Sequence, residues 1–437
     1  MKRNLRRSLK YVFWGGVSIS AADTLLVGPT LLGYAALFGA GDISFGILGA
    51  IPYFGNLAHM FSAYLLERNF SVRKTAFYTA FISRFFLFVA ILLAFKPMMP
   101  GALAILILSL SLYYLIGCIS GGVWLPWMKD LIPQRIMGSF FSFRFKYMMV
   151  AKIICFWFAA LVFKYSKLLV SKENEIFVYV ILLLIAFLIG LFSAWTLSQV
   201  EDKKRISTNS LSFCGKIGEC LRNKAFRKLV FSLSFINFTV AFITPFMTVF
   251  MLKNLDIPMS TILIFTFIMQ LSYTFVIKRL GKMANNSDIL KVLTFSIPFL
   301  FCSSFLFLIL NQITKNVYVE NAFLTIGHIV FGIATAGVTL GINNASLTYV
   351  PKKMSAIYLS LNSVLKSFAG CIGSIFAGLI LSWATLVEKN IFTGYENYCN
   401  RWTLFWLFSI LICGMSYLTS IRLRKYYITK KSKVGNV

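Results

Sequence analysis

Negative charge is what this chain has least of. Only 14 Asp and Glu stand against 43 Lys and Arg in 437 residues, and charged residues of all kinds make up 13%. Soluble domains carry about 25%, so a soluble enzyme or soluble binding protein is excluded. Histidine is nearly absent, at two. Neither His59 nor His328 has a Cys, His or acidic cluster beside it in sequence, so no metal and no cofactor is expected. The 8 cysteines include no Cys-x-x-Cys pair. Cys118, Cys155, Cys302, Cys371 and Cys413 sit in apolar runs, where a thiol behaves as a small hydrophobe, and Cys399 stands alone; a disulfide framework is not expected. No Gly-x-x-x-x-Gly-Lys-Ser/Thr loop is present, which argues against ATP-driven work by this chain alone.

What fills the sequence instead is hydrocarbon. Hydrophobic residues make up 58%, with a mean hydropathy of +0.78. Apolar runs recur near 11–38, 43–66, 75–95, 101–128, 143–165, 175–199, 229–252, 257–277, 290–310, 321–347, 356–385 and 402–421. Each is long enough, at roughly twenty residues, to cross a hydrocarbon core as a helix. The first run is too long for a cleavable signal and flows into the second. The expected fold class is therefore an all-α, multi-pass integral membrane protein with twelve transmembrane helices. The net charge of +29 would point to nucleic acid in a soluble protein. Here the bases concentrate in alternate loops, which is the positive-inside pattern: both termini are expected in the cytoplasm, the bilayer is the partner, and nucleic acid is not.

The chain repeats itself at half its length. LIPQRIMGSFFSFR (131–144) returns as YVPKKMSAIYLSLN (349–362), setting Pro133 on Pro351 and Phe140 on Tyr358. LLERNFSVRK (65–74) matches MANNSDILK (283–291) in position. Two pseudo-symmetric six-helix bundles are expected, at 1–200 and 229–437, joined by a cytoplasmic linker at 201–228. Parallel halves of this kind suit a transporter built around a central pathway. The basic tail 422–437 is expected to meet anionic lipid.

Four runs carry polar or small residues at helical spacing. They are Gly16, Ser20, Asp23 and Thr30 in span 1; Tyr113, Gly117, Ser120, Trp124 and Trp127 in span 4; Ser234, Asn237, Thr244 and Thr248 in span 7; and Thr325, His328, Gly332, Thr335, Thr339 and Asn343 in span 10. Polar faces in a membrane look at protein or at water. Helix packing favours the same residues, but one stripe per three spans suggests a shared cavity. Candidate substrate contacts are Ser20, Asp23, Tyr113, Trp124, Asn237, Thr244, His328, Thr335, Thr339 and Asn343. Ionisable residues at depth are Asp23, Arg84, Lys152 and Lys366, and such charges default to function. Desolvation disfavours a lone carboxylate's charged form, which suits Asp23 as a proton carrier. Pairing with Arg84 would instead make it a structural latch, and both readings stand at this point. Three bases against one acid lean towards an anionic or zwitterionic solute.

The stretch WLPWMKDLIPQRIMGSFFSFR (124–144), with LLGYAALFGAGDISFGILGAIPYFGNLAHMFSAYLLERNFSVRK (31–74) and GINNASLTYVPKKMSAIYLSLNSVL (341–365), resembles a poorly characterised bacterial branch of the major facilitator superfamily. That resemblance implies alternating access between two six-helix bundles, in a bacterial inner membrane, by a monomer acting on a small molecule. It also makes Glu67, Arg68, Asp130, Arg135 and Arg144 candidate cytoplasmic gate residues. The chain departs from the superfamily's loop 2–3 pattern, Gly-x-x-x-Asp-Arg-x-Gly-Arg-Arg: it has Tyr64 where the first glycine is expected, and Asn285 replaces the acid in the second half. The expected function is secondary transport of a small polar or anionic solute, with protons as the candidate coupling ion. The alternative is a non-transporting membrane protein, a lipid-modifying enzyme or an assembly scaffold. An enzyme would need a clustered His/Asp/Glu constellation, which the sequence does not offer.

Overall fold

A polypeptide in hydrocarbon has no water to satisfy its N–H and C=O groups, so a chain of this composition closes its hydrogen bonds within helices. The computed structural model describes residues 3–68, 70–169, 174–202, 213–286, 288–312, 316–351, 355–391 and 400–435, and among them there is no strand. The helices are α1 (Arg3–Leu26), α2 (Pro29–Ala36), α3 (Asp42–Asn56), α4 (His59–Glu67), α5 (Val72–Leu92), α6 (Ala102–Leu131), α7 (Gln134–Leu169), α8 (Ile176–Ser198), α9 (Phe213–Arg222), α10 (Lys224–Lys253), α11 (Met259–Asn286), α12 (Ile289–Leu310), α13 (Val317–Tyr349), α14 (Ser355–Ile391) and α15 (Arg401–Gly435).

Among the described residues, 11 stretches are long and apolar enough to cross a membrane, counting α1 and α2 as one. The twelfth is the run expected at 43–66. It divides at Leu57–Ala58 into α3 and α4, neither long enough alone. The basic tail is a continuation of α15, which runs to Gly435. Of the stretch expected as a linker, 203–212 lies outside the described residues; α9 occupies part of the rest, and α10 already begins at Lys224.

Span 1 is broken. Gly28 takes φ 73° and ψ −132°, a conformation that only glycine adopts without strain, and Pro29 then opens α2. Val27 N–H still donates to Asp23 C=O at 2.8 Å, and the ladder resumes where Leu32 N–H reaches Gly28 C=O at 3.2 Å. Asp23 therefore sits in the last turn of α1, immediately before the discontinuity.

The contacts divide the chain into two compact units. One holds Met1–Gly41, Ile51–Ser210 and Met251–Ile264; the other holds Asp42–Ala50, Leu211–Phe250 and Phe265–Val437. Each sequence half thus contributes a segment to the other's unit. Asp42 opens α3 and Met259 opens α11, positions related by the same half-chain offset as the repeats.

Glycines let these segments approach closely. In the second unit a Cβ at Gly46 would lie 2.7 Å from Ser374 O, one at Gly49 2.3 Å from Pro245 Cγ, and one at Gly378 2.7 Å from Asp42 O. Ser374 Oγ donates to Gly46 C=O at 2.7 Å, and Arg401 pairs with Asp42 at 3.4 Å. In the first unit Met259 and Tyr179 crowd Gly33. The second unit is built on an aromatic core in which Phe242 stacks on Phe405 with ring centroids 5.1 Å apart and Phe250 meets Trp402 at 5.1 Å.

Close packing predicts a contrast between two glycines. A Cβ at Gly332 would lie 2.4 Å from the Met269 carbonyl oxygen, whereas Gly281 has nothing within 4 Å. Gly332→Val should lower stability by about 1–3 kcal/mol, while Gly281→Ala should leave it unchanged or raise it by about 0.5–1 kcal/mol. Thermal unfolding of the purified protein in detergent measures both; equal effects would show that α13 does not pack on α11 as described.

Candidate functional site: a charge cluster in the first unit

Three of the four deep charges lie in the first unit, Asp23 on α1, Arg84 on α5 and Lys152 on α7. Arg84, on α5, is 5% exposed. Its Nη1 donates to the Tyr113 hydroxyl of α6, and its guanidinium carbon lies 4.9 Å from the centroid of the Tyr113 ring. It fits because α8 presents Gly190, where a Cβ would come 2.8 Å from Arg84 Nε. That Nε is buried without a hydrogen-bond partner. A buried guanidinium with one acceptor and one unused donor is held in place but not saturated.

Asp23 is half-buried. The fields of Arg84 and of Lys152, on α7, both reach its carboxylate, yet it forms no ion pair or side-chain hydrogen bond among the described residues. The direct Asp23–Arg84 latch, one of the two readings the sequence left open, is therefore not formed: the guanidinium is committed to Tyr113. Around the acid stand groups that its charge also reaches, Tyr114 and Cys118 of α6. The Tyr114 hydroxyl is buried and unpartnered, and Cys118 Sγ lies 3.7 Å from Asn56 Oδ1. Thr30, just past the break in span 1, is fully buried with its hydroxyl unpartnered. Two cations and one acid leave the cluster net positive, with unused donors at Arg84 Nε and Tyr114.

The other stripe residues are placed differently. Ser20 Oγ donates to Met148 C=O at 3.2 Å, tying α1 to α7. Trp124 is the platform for Arg144, whose guanidinium carbon is 4.5 Å from its ring centroid. Arg144 Nε also donates to Val12 C=O at 3.2 Å, and the side chain fills the notch at Gly16. Arg144 thus clamps α1, α6 and α7 together within the unit. Of the other candidate gate residues, Arg68 lies 5.4 Å from the Tyr64 ring centroid, and Asp130 and Arg135 are exposed. The Glu67 side chain lies outside the described residues.

In the second unit, Asn237 Nδ2 donates to the backbone carbonyl of Lys366 at 2.8 Å, joining α10 to α14. His328 is 2% exposed, set between Phe265 at 5.4 Å and Phe307 at 5.8 Å, with Nδ1 2.8 Å from Leu324 O of its own helix. It belongs to the aromatic core. Thr335 bonds back to Phe331 C=O at 2.8 Å. Thr244, Thr339 and Asn343 keep exposed side chains, Thr339 meeting the Tyr273 hydroxyl. Sequence reasoning missed Tyr114, Asn56 and Gly190. Gly190 lies in a run of Leu, Ile and Phe that gives no hint of the arginine it accommodates.

No protein-family model matches the chain, and comparison with curated proteins finds no match. Solved structures do resemble it. A variant of the nucleoside transporter NupG superposes with a TM-score of 0.69 at 15% identity, over 96% of this chain and 100% of that one. A bacterial homologue of the human lysosomal transporter Spinster, inward-facing and occupied, gives 0.69 at 13% identity, over 97% and 98%. A D-xylose-proton symporter gives 0.66 at 11% identity, over 94% and 97%. At these identities the likeness shows the fold, which is major-facilitator-like.

The cluster predicts an asymmetry between its two anchoring residues. Tyr113→Phe leaves the buried Arg84 guanidinium without its acceptor and should cost about 1–3 kcal/mol. Asp23→Asn removes no hydrogen bond and should cost less than Tyr113→Phe. Unfolding in detergent decides: a destabilised Asp23→Asn beside a silent Tyr113→Phe would make Asp23 the structural partner after all.

Proposed function

We propose that this chain is a secondary transporter that moves a small polar or anionic solute across the membrane by alternating access. The observation that carries the reading is the cluster around Asp23: a half-buried carboxylate with no fixed partner, at a break in a membrane span, beside two cations. Intramembrane charge is costly and is retained where it handles a solute or an ion, and discontinuous spans recur at transport sites. Because the cations outnumber the acid, the cluster favours a carboxylate, a phosphate ester or a zwitterion over a neutral solute. Thr244, Thr339 and Asn343 of the second unit, which keep exposed polar groups, are the further candidates for solute contact. The superposed structures, named as transporters of a nucleoside and of D-xylose, agree with a transport role.

Protons are the candidate coupling ion. Asp23 can take up a proton without giving up a hydrogen bond, and doing so makes the cluster more positive by one charge. An anionic solute would then bind more strongly to the protonated form, so that proton and solute travel together. The distribution of Lys and Arg supports cytoplasmic termini, which puts the Gly46–Gly49–Gly378 seam at the external end. The resemblance of the sequence to a bacterial branch supports an inner-membrane location. Alternating access then requires that seam to part whenever the pathway opens outward.

Two measurements on purified protein test this. A thermal-shift screen at two pH values should give stabilisation by acids or zwitterions and none by neutral sugars. With the best solute, counterflow into proteoliposomes by Gly49→Cys/Ser374→Cys should stop on oxidation and return on reduction, because the disulfide staples the seam. Full counterflow through the oxidised, cross-linked protein would refute alternating access at this seam.

A further inference from the structure

The second unit contains a groove between α10 and α14 that is unsuited to a polar solute. Its volume is about 530 Å³, and its walls are Phe231, Phe235 and Phe238 on one side and Leu365, Phe368 and Ile372 on the other. Small-molecule sites of this size, within about 300–1,000 Å³, normally place several polar groups to orient their ligand. Between its ends the one polar side chain on this lining is Ser234, whose hydroxyl is buried without a hydrogen-bond partner. Three phenylalanines of α10 form a stacked ladder, with centroids 6.5 Å apart from Phe231 to Phe235 and 5.8 Å from Phe235 to Phe238. The mouth is open: Phe231 is 66% and Phe368 54% exposed.

Charge enters at one end only. Arg227 lines the groove one turn before Phe231, and Leu221 of α9 closes that end. Arg227 is exposed, as are Arg222 and Lys224 beside it, and its side chain makes no ion pair or hydrogen bond among the described residues. From Arg227 to Phe238 the helix rises about 16 Å at 1.5 Å per residue, close to half of a ~30 Å hydrocarbon core. The shape is that of an amphiphile spanning one leaflet: a strip of aromatic and aliphatic wall, then a free guanidinium at headgroup level.

We infer that this groove binds an anionic phospholipid, with one acyl chain along the α10–α14 wall and the headgroup phosphate on Arg227. The inference rests on α10 and α14 spanning the membrane and is independent of whether the protein transports. A guanidinium suits a phosphate because its planar fork matches the oxygens two at a time. The basic surroundings at Arg222 and Lys224 add attraction to any anionic headgroup. The aromatic ladder excludes water from the acyl chain, which a neutral solute site would not require.

Native mass spectrometry of the purified full-length protein in mild detergent, with phosphatidylglycerol and phosphatidylcholine in equal amounts, tests the site. Wild type should retain phosphatidylglycerol preferentially. Arg227→Gln should lower that preference about fivefold, the effect of one basic residue at a membrane surface, while still retaining phosphatidylcholine. Ala369→Phe, which fills the groove, should lose both lipids. Ile372→Trp does the same from a position 45% exposed, so it reports even if Ala369→Phe does not fold. Glycerol 3-phosphate, a headgroup without chains, should displace neither lipid. Wild-type lipid retention by Arg227→Gln and by a folded groove-filling variant would overturn the assignment, and so would full displacement by glycerol 3-phosphate. A dimer signal that vanishes in the filled variants while lipid adducts persist would give the groove to a second copy of the chain instead.

Discussion

A guanidinium at membrane depth must find its acceptors inside the protein, and much of the first unit is arranged around that requirement. Arg84 is buried. It takes the Tyr113 hydroxyl of α6 and lies in the notch of Gly190 on α8. Losing that acceptor would leave a buried charge short of a partner, which is among the more damaging changes a folded protein can suffer. The same commitment has a second consequence. With Arg84 bonded to Tyr113, Asp23 keeps a favourable field from two cations but no fixed partner. A group held ionised by a tight pair acts as structure; a group held only by a field remains able to exchange a proton or a ligand.

The second recurring device is the removal of side chains. Gly16 makes room for Arg144, Gly190 for Arg84, Gly33 for Met259 and Tyr179, and Gly332 for the Met269 backbone. Small residues allow close packing where lipid offers no hydrophobic drive for helices to associate. At Gly28 the absent side chain has a conformational use: it permits the φ of 73° that ends α1 one turn after Asp23. The seam of Gly46, Gly49 and Gly378 combines close approach with hydrogen bonds from Ser374 to Gly46 and from Cys371 to Ala50, and with the Arg401–Asp42 pair at its end.

Much of the architecture was legible in the residues. Apolar runs placed the spans because hydrophobic length is the dominant signal in a membrane chain. The break in span 1 was written in Gly28–Pro29, a strong turn signal, but the apolar run continues through it and masked the discontinuity. The stripes were less informative. Helical periodicity tells which residues share a face, not what that face meets. Asn237 turned out to bond the Lys366 backbone and His328 to sit between two phenylalanines. Asp23, Arg84, Tyr113 and Lys152 were each identified as candidates, but which of them would bond depended on Gly190, whose role only the packing of α5 against α8 reveals.

The most direct test of transport at the Asp23 cluster is uptake of the screened solute into proteoliposomes carrying wild-type or Asp23→Asn protein, with and without an imposed proton gradient. The coupling described here predicts that wild type accumulates solute when the gradient is present. Asp23→Asn, folded as well as wild type, should exchange solute for solute but fail to accumulate it, because exchange requires no net proton movement. Gradient-driven accumulation by Asp23→Asn equal to wild type, with unchanged pH dependence, would contradict the role assigned to this carboxylate.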